Sequence, residues 1–239
     1  MRKRHGKQEA GSSCGRRRPR NGAALARRFA EAGYAIAVLA RRRSTLAPIE
    51  SELAGTRGFE CDVGDPKSAE STFAHIRREI GEVDALLYNA GSGVFGDVET
   101  ITPEQFEQSW RVNAYGSLLC ARQVIPGMKA RGSGAIIFIG ATASRRGGVQ
   151  AAAFAPAKAA QRSLAESMAR KLWPEGVHVA LIVIDGVVDL PGTRALMRGK
   201  PDDAFVDPAG VAEIAFQLCR QQRRAWSFEV EARPNAEKW

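Results

Sequence analysis

The sequence predicts an α/β domain, a parallel sheet with helices against both faces, and three observations predict it. Stretches of strand and helix character alternate from residue 22 almost to the end of the chain, which is the pattern of a parallel sheet joined by helical crossovers. Residues 135–139, Ala-Ile-Ile-Phe-Ile, are apolar on both alternating faces, as a central strand covered on both sides must be. A chain of 239 residues fills one large domain with a sizeable core and requires no second.

Two segments are expected: a basic, disordered tail over 1–20 and the folded domain over 21–239. Residues 1–15 contain no Val, Ile, Leu or Phe and cannot supply a buried strand. The formal charge of +9 is uneven, with +7 in residues 1–20 and only +2 in the remainder. Such a tail, without interleaved aromatics or regular periodicity, reads as a solvated end and not as a specific nucleic-acid surface. Cys14, Cys61, Cys120 and Cys219 are scattered, as are His5, His75 and His178, so neither a disulfide framework nor a metal site is indicated. No apolar run approaches the roughly 20 residues of a membrane helix. The basic start lacks the apolar segment of a signal peptide, and the cytoplasm is the expected compartment.

The elements follow in order. Residues 22–33 read as a helix with Leu25 and Phe29 four apart and a terminating Gly33. Residues 34–40 read as a strand, 44–53 as a short helix, and 57–61 as the next strand, leading into Asp62-Val63. Residues 65–80 form a helix with Ala69, Phe73 and Ile76 inward and His75 exposed; 83–88 form a strand. Thr102-Pro103 starts a long helix with a cap and an N1 proline, continuing to Met128 with Asn113 inside it, where a polar amide is otherwise unfavourable. After the 135–139 strand, ended by Gly140, a glycine-containing loop leads to a helix over 151–173, in whose first turn Pro156 fits. Lys158 lies one turn after Phe154 on the same face, directed beyond the strand's carboxyl end. Val177–Ile184 is a further strand; 185–206, rich in Gly, Pro and Asp, suits a mobile lid. A helix capped by Asp207-Pro208 and a strand over 226–230 close the chain.

This layout resembles the short-chain dehydrogenase/reductase family, whose signature is Tyr-x-x-x-Lys on the helix after the central strand, with a Ser thirteen residues before the Tyr. Lys158 matches, while Phe154 stands at the Tyr position and Ala141 at the Ser position, with Thr142 and Ser144 as the nearest hydroxyls. Of the family's Thr-Gly-x-x-x-Gly-x-Gly turn only Asn21-Gly22 matches, because Arg16 and Arg20 occupy the other glycine positions. Asn89-Ala90-Gly91 matches Asn-Asn-Ala-Gly with Tyr88 in place of the first Asn, and Asn113 to Gly116 matches Asn-x-x-Gly. The resemblance implies a Rossmann-like doubly wound parallel sheet in a single domain, its first strand missing or degraded. It also implies an adenine pocket at Asp62 and Val63, cofactor contacts at Asn89, Ala90, Gly91 and Lys158, and a water held by Asn113 in a relay to the lysine. Gly186 follows Asp185 where the family has Pro-Gly beside the nicotinamide. Arg41, after a strand ending in Ala40 and not in Asp or Glu, favours NADP, with NAD possible.

The implied function is an NAD(P)-dependent oxidoreductase acting on a carbonyl, an alcohol or an activated double bond of a small molecule, with weakened or altered catalysis. A positioned general acid contributes roughly 10²–10⁴-fold, and Phe154 and Ala141 cannot act as one; Thr142 or Ser144 is the candidate substitute donor. The alternatives are a non-catalytic dinucleotide-binding or regulatory protein, and a frame-shifted inactive product. A homodimer or homotetramer through the 102–128 and 151–173 helices is the implied assembly, with no specific nucleic acid and no membrane as partner.

Overall fold

The computed structural model describes residues 20–236, so the expectation of a disordered tail over 1–20 falls, apart from Arg20, outside the described residues. Helix α1 (Asn21–Glu31) is closed by Gly33, whose φ of 86° lets Tyr34 N bond Phe29 O. It leads to β1 (Ile36–Ala40), α2 (Arg43–Glu52), β2 (Thr56–Glu60), α3 (Pro66–Glu79) and β3 (Ala85–Tyr88). Asp65 caps α3, its Oδ2 accepting from Ser68 N at 2.8 Å. Helix α4 (Pro103–Trp110) opens with the reciprocal Thr102–Gln105 capping box. It passes through one π turn (Arg111–Tyr115) into α5 (Gly116–Arg131). Then come β4 (Gly134–Ala141), α6 (Phe154–Leu172), β5 (Val177–Ile184), α7 (Pro191–Leu196), α8 (Pro208–Arg220) and β6 (Glu229–Ala232).

Every strand pairing is parallel, and the ladders run β1-β2 and β3-β4-β5-β6. Residues of β4 and β5 alternate between two apolar layers. Ile136, Phe138, Val179 and Leu181 face Phe73, Met128 and Leu172 on one side; Ile137, Ile139, Ala180 and Ile182 face Leu25, Phe29 and Phe216 on the other. This is the doubly wound α/β fold, with β4 and β5 buried because both faces are covered.

The two ladders are separated. A cavity of about 580 Å³ lies between them, lined by Ile36–Leu39 on one side and by Ala85–Tyr88 on the other. α1 covers one face of this cavity through Leu25 and Phe29, and α3 the other through Phe73 and Ile76. The expected missing or degraded first strand falls outside the described residues; among the described residues no strand joins the two ladders.

Some boundaries differ from expectation, each for a local reason. The strand expected to stop at Gly140 continues to Ala141, which pairs with Ile184. The helix expected from residue 151 starts at Phe154, because Ala151 is bridged to Gly96 and Ala152 N bonds Gly96 O. The last strand lies at Glu229–Ala232 and not 226–230, since Trp226 is stacked on His178 at 4.7 Å and donates to Gln221 O.

Candidate active site

The residues singled out in the sequence gather at the carboxyl edge of the sheet. Lys158, in the second turn of α6, is buried and donates to Ile139 O at 2.8 Å and to Gln161 Oε1 at 3.0 Å. It therefore points down onto β4, a correction to the expectation that it is aimed outward past the strand end. Burial lowers its pKa to about 8. Gln161 in turn donates to Asn113 O at 2.9 Å. Asn113 Nδ2 donates to Ser109 O at 2.9 Å and Ser92 O at 3.1 Å. The π turn sets Asn113 into this position, as such turns commonly do at functional sites. One polar chain thus runs from Ser92 and Ser109 through Asn113 and Gln161 to Lys158 and Ile139, with a side chain bridging Asn113 to the lysine. Gln161 was not singled out in the sequence; its signal was an amide three residues after Lys158, on the same helix face.

The two hydroxyls near Ala141 differ: the Thr142 proton is committed, and the Ser144 oxygen accepts from the backbone. Thr142 Oγ1 donates to Asp185 Oδ1 at 2.5 Å, and Ser144 Oγ, buried, accepts from Ala141 N at 3.1 Å. The Thr142 hydrogen bond and the Arg233 guanidinium hold the Asp185 carboxyl below the ordinary range. Phe154 is half-buried, its ring 5.3 Å from that of exposed Phe95, and Lys158 Nζ lies 5.9 Å from its centroid. The surface next to the lysine is aromatic where a hydroxyl donor was sought.

Glycines stand where other groups of the chain come close. A Cβ on Gly22 would stand 3.4 Å from Asn89 Nδ2, one on Gly91 3.4 Å from Asn113 Oδ1, and one on Gly116 2.8 Å from Val63 O. Gly186, at φ 154°, lies where a Cβ would meet Pro234 Cδ at 2.6 Å. Asp62 is exposed and its Oδ1 accepts from Gly64 N at 2.9 Å, so its carboxylate caps its own turn. Tyr88, in place of the first Asn, is buried and donates to Val112 O, bracing β3 against the π turn, and burial raises its phenol pKa. Arg41 is exposed after β1. Gly22, Val63, Asn89 and Ala90 all line the 580 Å³ cavity, which Lys158, Phe154 and Gly186 do not.

The lid segment is pinned. Val188 bridges to Val206, Asp189 takes Arg194 on both carboxylate oxygens at 2.8 and 2.9 Å, and the Arg194 guanidinium lies 3.9 Å over Phe205. A charge cluster that sequence order hides closes the same edge: Arg145 and Arg162 on Glu229, and Arg233 on Asp185. No group of three His, Cys, Asp or Glu among the described residues is placed to hold a metal. No helix among them is long and apolar enough to cross a membrane.

A doubly wound parallel sheet carrying a buried lysine and asparagine at its carboxyl edge defines a dinucleotide-fold protein of the dehydrogenase type. The chain belongs to the short-chain dehydrogenase family, whose profile matches residues 22–198. It is 29% identical over 206 residues to D-xylose 1-dehydrogenase of Caulobacter vibrioides, covering 84% of this chain and 77% of that protein. It is 33% identical over 175 residues to the 3-oxoacyl-[acyl-carrier-protein] reductase MabA of Mycobacterium tuberculosis, covering 73% and 68%. Among solved structures, a short-chain dehydrogenase from Rhodopseudomonas palustris superposes with a TM-score of 0.76 at 32% identity, covering 90% of this chain and 93% of that one. A metagenomic short-chain oxidoreductase in complex with NADP does so with a TM-score of 0.78 at 25% identity, covering 91% and 93%.

Proposed function

We propose that this chain is an NAD(P)-dependent oxidoreductase, NADP favoured, acting on a carbonyl, alcohol or activated double bond of a small molecule with weakened or altered catalysis. The observation that carries the proposal is the buried polar chain from Asn113 through Gln161 to Lys158. The side chains present fit a dinucleotide: Asn113 Oδ1 and Asn21 Oδ1 are buried acceptors without a hydrogen-bond partner, which a ligand's donor groups would satisfy. In this proposal Asp62 and Val63 flank the adenine, Asn89, Ala90 and Gly91 the middle of the cofactor, and Arg41 a 2′-phosphate. A relative of this fold in complex with NADP supports the same choice.

A bound nicotinamide supplies or takes the hydride; the protein's part is position and protons. Lys158, with its pKa near 8, exchanges a proton close to neutral pH, and Gln161 fixes where its ammonium stands. Phe154 and Phe95 give the substrate carbon an apolar wall and keep water off it. Thr142 would act as donor only by leaving Asp185.

The test is titration with NADP and NAD, read by nicotinamide fluorescence, followed by a carbonyl panel. Phe154→Tyr combined with Ala141→Ser is expected to raise carbonyl reduction by about 10² or more; binding without a gain counts against a reacting carbonyl beside residue 154. The commitment of the Thr142 proton to Asp185 favours a second reading, a dinucleotide-binding regulatory protein, which predicts binding without turnover. Failure of both NADP and NAD to bind would leave the inactive product. Assembly through α5 and α6 belongs to the same proposal; exposed Phe106 and Trp110 on the adjoining α4 support it, and sedimentation velocity tests it.

A further inference from the structure

The cavity between the two ladders is bounded by main chain as much as by side chains. Among the described residues β1 is hydrogen-bonded as a strand only to β2, and β3 only to β4. The edges of β1 and β3 that face each other across the cavity therefore carry unpaired N–H and C=O groups. The two strands run in the same direction: Gly22 at the start of α1 lies beside Asn89, just after β3, and the far end of α1 leads into the start of β1. Above and below, the walls are apolar: Leu25 and Phe29 from α1, Phe73 and Ile76 from α3. An acyl chain would satisfy those walls but leave both rows of backbone groups unpaired; an extended polypeptide satisfies both.

The ends of the slot differ. Glu82 and Asp84 line it at the amino end of β3, and one arginine, Arg131, serves both at 3.7 and 3.4 Å. Gly22 and Asn89 line its carboxyl end. Five residues at about 3.3 Å each match the five of β1. The chain's own residues 1–15 contain no Val, Ile, Leu or Phe.

We propose that the slot between β1 and β3 captures a parallel strand from another polypeptide: about five apolar, β-branched-rich residues preceded by one or two lysines or arginines. The basic residues meet Glu82 and Asp84, the apolar side chains alternate between the α1 and α3 walls, and the backbone joins the two ladders into one sheet. The proposal does not rest on the redox function.

Hydrogen exchange tests it on the full chain with the acetylated, amidated peptide Lys-Lys-Val-Ala-Val-Ile-Val-Ser. Capture predicts that the amides of β1 and β3 left unpaired by β2 and β4 slow by about tenfold or more, with a rise in Tm. A peptide with proline at the second and fourth apolar positions, which removes two donors, is expected to give neither effect. Absence of slowing at saturating peptide overturns the proposal. So does equal slowing by the proline peptide or by palmitate, which would make the slot a plain apolar cavity. Protection already present in the free protein and lost on deleting residues 1–19 would assign the slot to the chain's own tail and overturn it equally.

Discussion

The two halves of the sheet carry the same helical cover and reach different ends. Around β4 and β5 every strand has neighbours on both sides, and Ala135–Gly140 and all eight residues of Val177–Ile184 are buried. Around β1 and β3, apolar strands of the same character are only half-buried, Tyr88 excepted, because the position between them is open. Apolar sequence makes a strand, but pairing on both edges is what makes it core.

The comparison is sharpest in paired truncations. Leu181→Ala, in the closed half, is expected to cost about 2–5 kcal/mol in urea unfolding, whereas Leu87→Ala, on the slot wall, is expected to cost less than half as much because a void is already present. Equal costs would show that the slot is closed in solution.

Lys158 probes the dryness of the closed half. Its folded pKa, near 8, lies below the free value of 10.5, so the unfolded chain binds the proton more tightly. The contribution of Lys158 to stability is then lowest, and flat, below pH 8 and rises with pH between 8 and 10.5. The difference between wild type and Lys158→Met is expected to move by about 3 kcal/mol in favour of wild type across that window. A pH-independent difference would mean that water reaches the ammonium.

The smallest effect concerns how α1, which roofs the slot, is held. Its Arg28 lies 3.6 Å over the Phe216 ring and pairs with Glu213 at 2.5 Å, while Phe29 meets Phe216 at 5.4 Å. Arg28→Ala is expected to cost about 1 kcal/mol by thermal denaturation, discounted for partial exposure. A loss above that of Leu87→Ala would mean that α8 and not the slot governs this half.

Much of the fold was legible because it depends on neighbours in sequence. Val177–Ile184 is continuously apolar and forms the strand as read; Asp65, Thr102 and Asp207 each cap the helix that follows. The lack of Val, Ile, Leu and Phe in residues 1–15 gave the expectation of a missing or degraded first strand. Which edges that loss would bare follows from strand order, which no local pattern encodes. At the site, Lys158, Asn113 and the glycines were legible as motif positions. The lysine's inward turn was not, because its acceptors are a carbonyl on β4 and an amide on its own helix. The engagement of Thr142 by Asp185 spans 43 residues of sequence and left no trace in it.

The carboxyl-terminal segment acts as a clasp. Arg233 grips Asp185, and Pro234 sits against Gly186 so closely that no side chain fits between them. Replacing Arg233 and Pro234 would release the loop after β5 from both contacts at once.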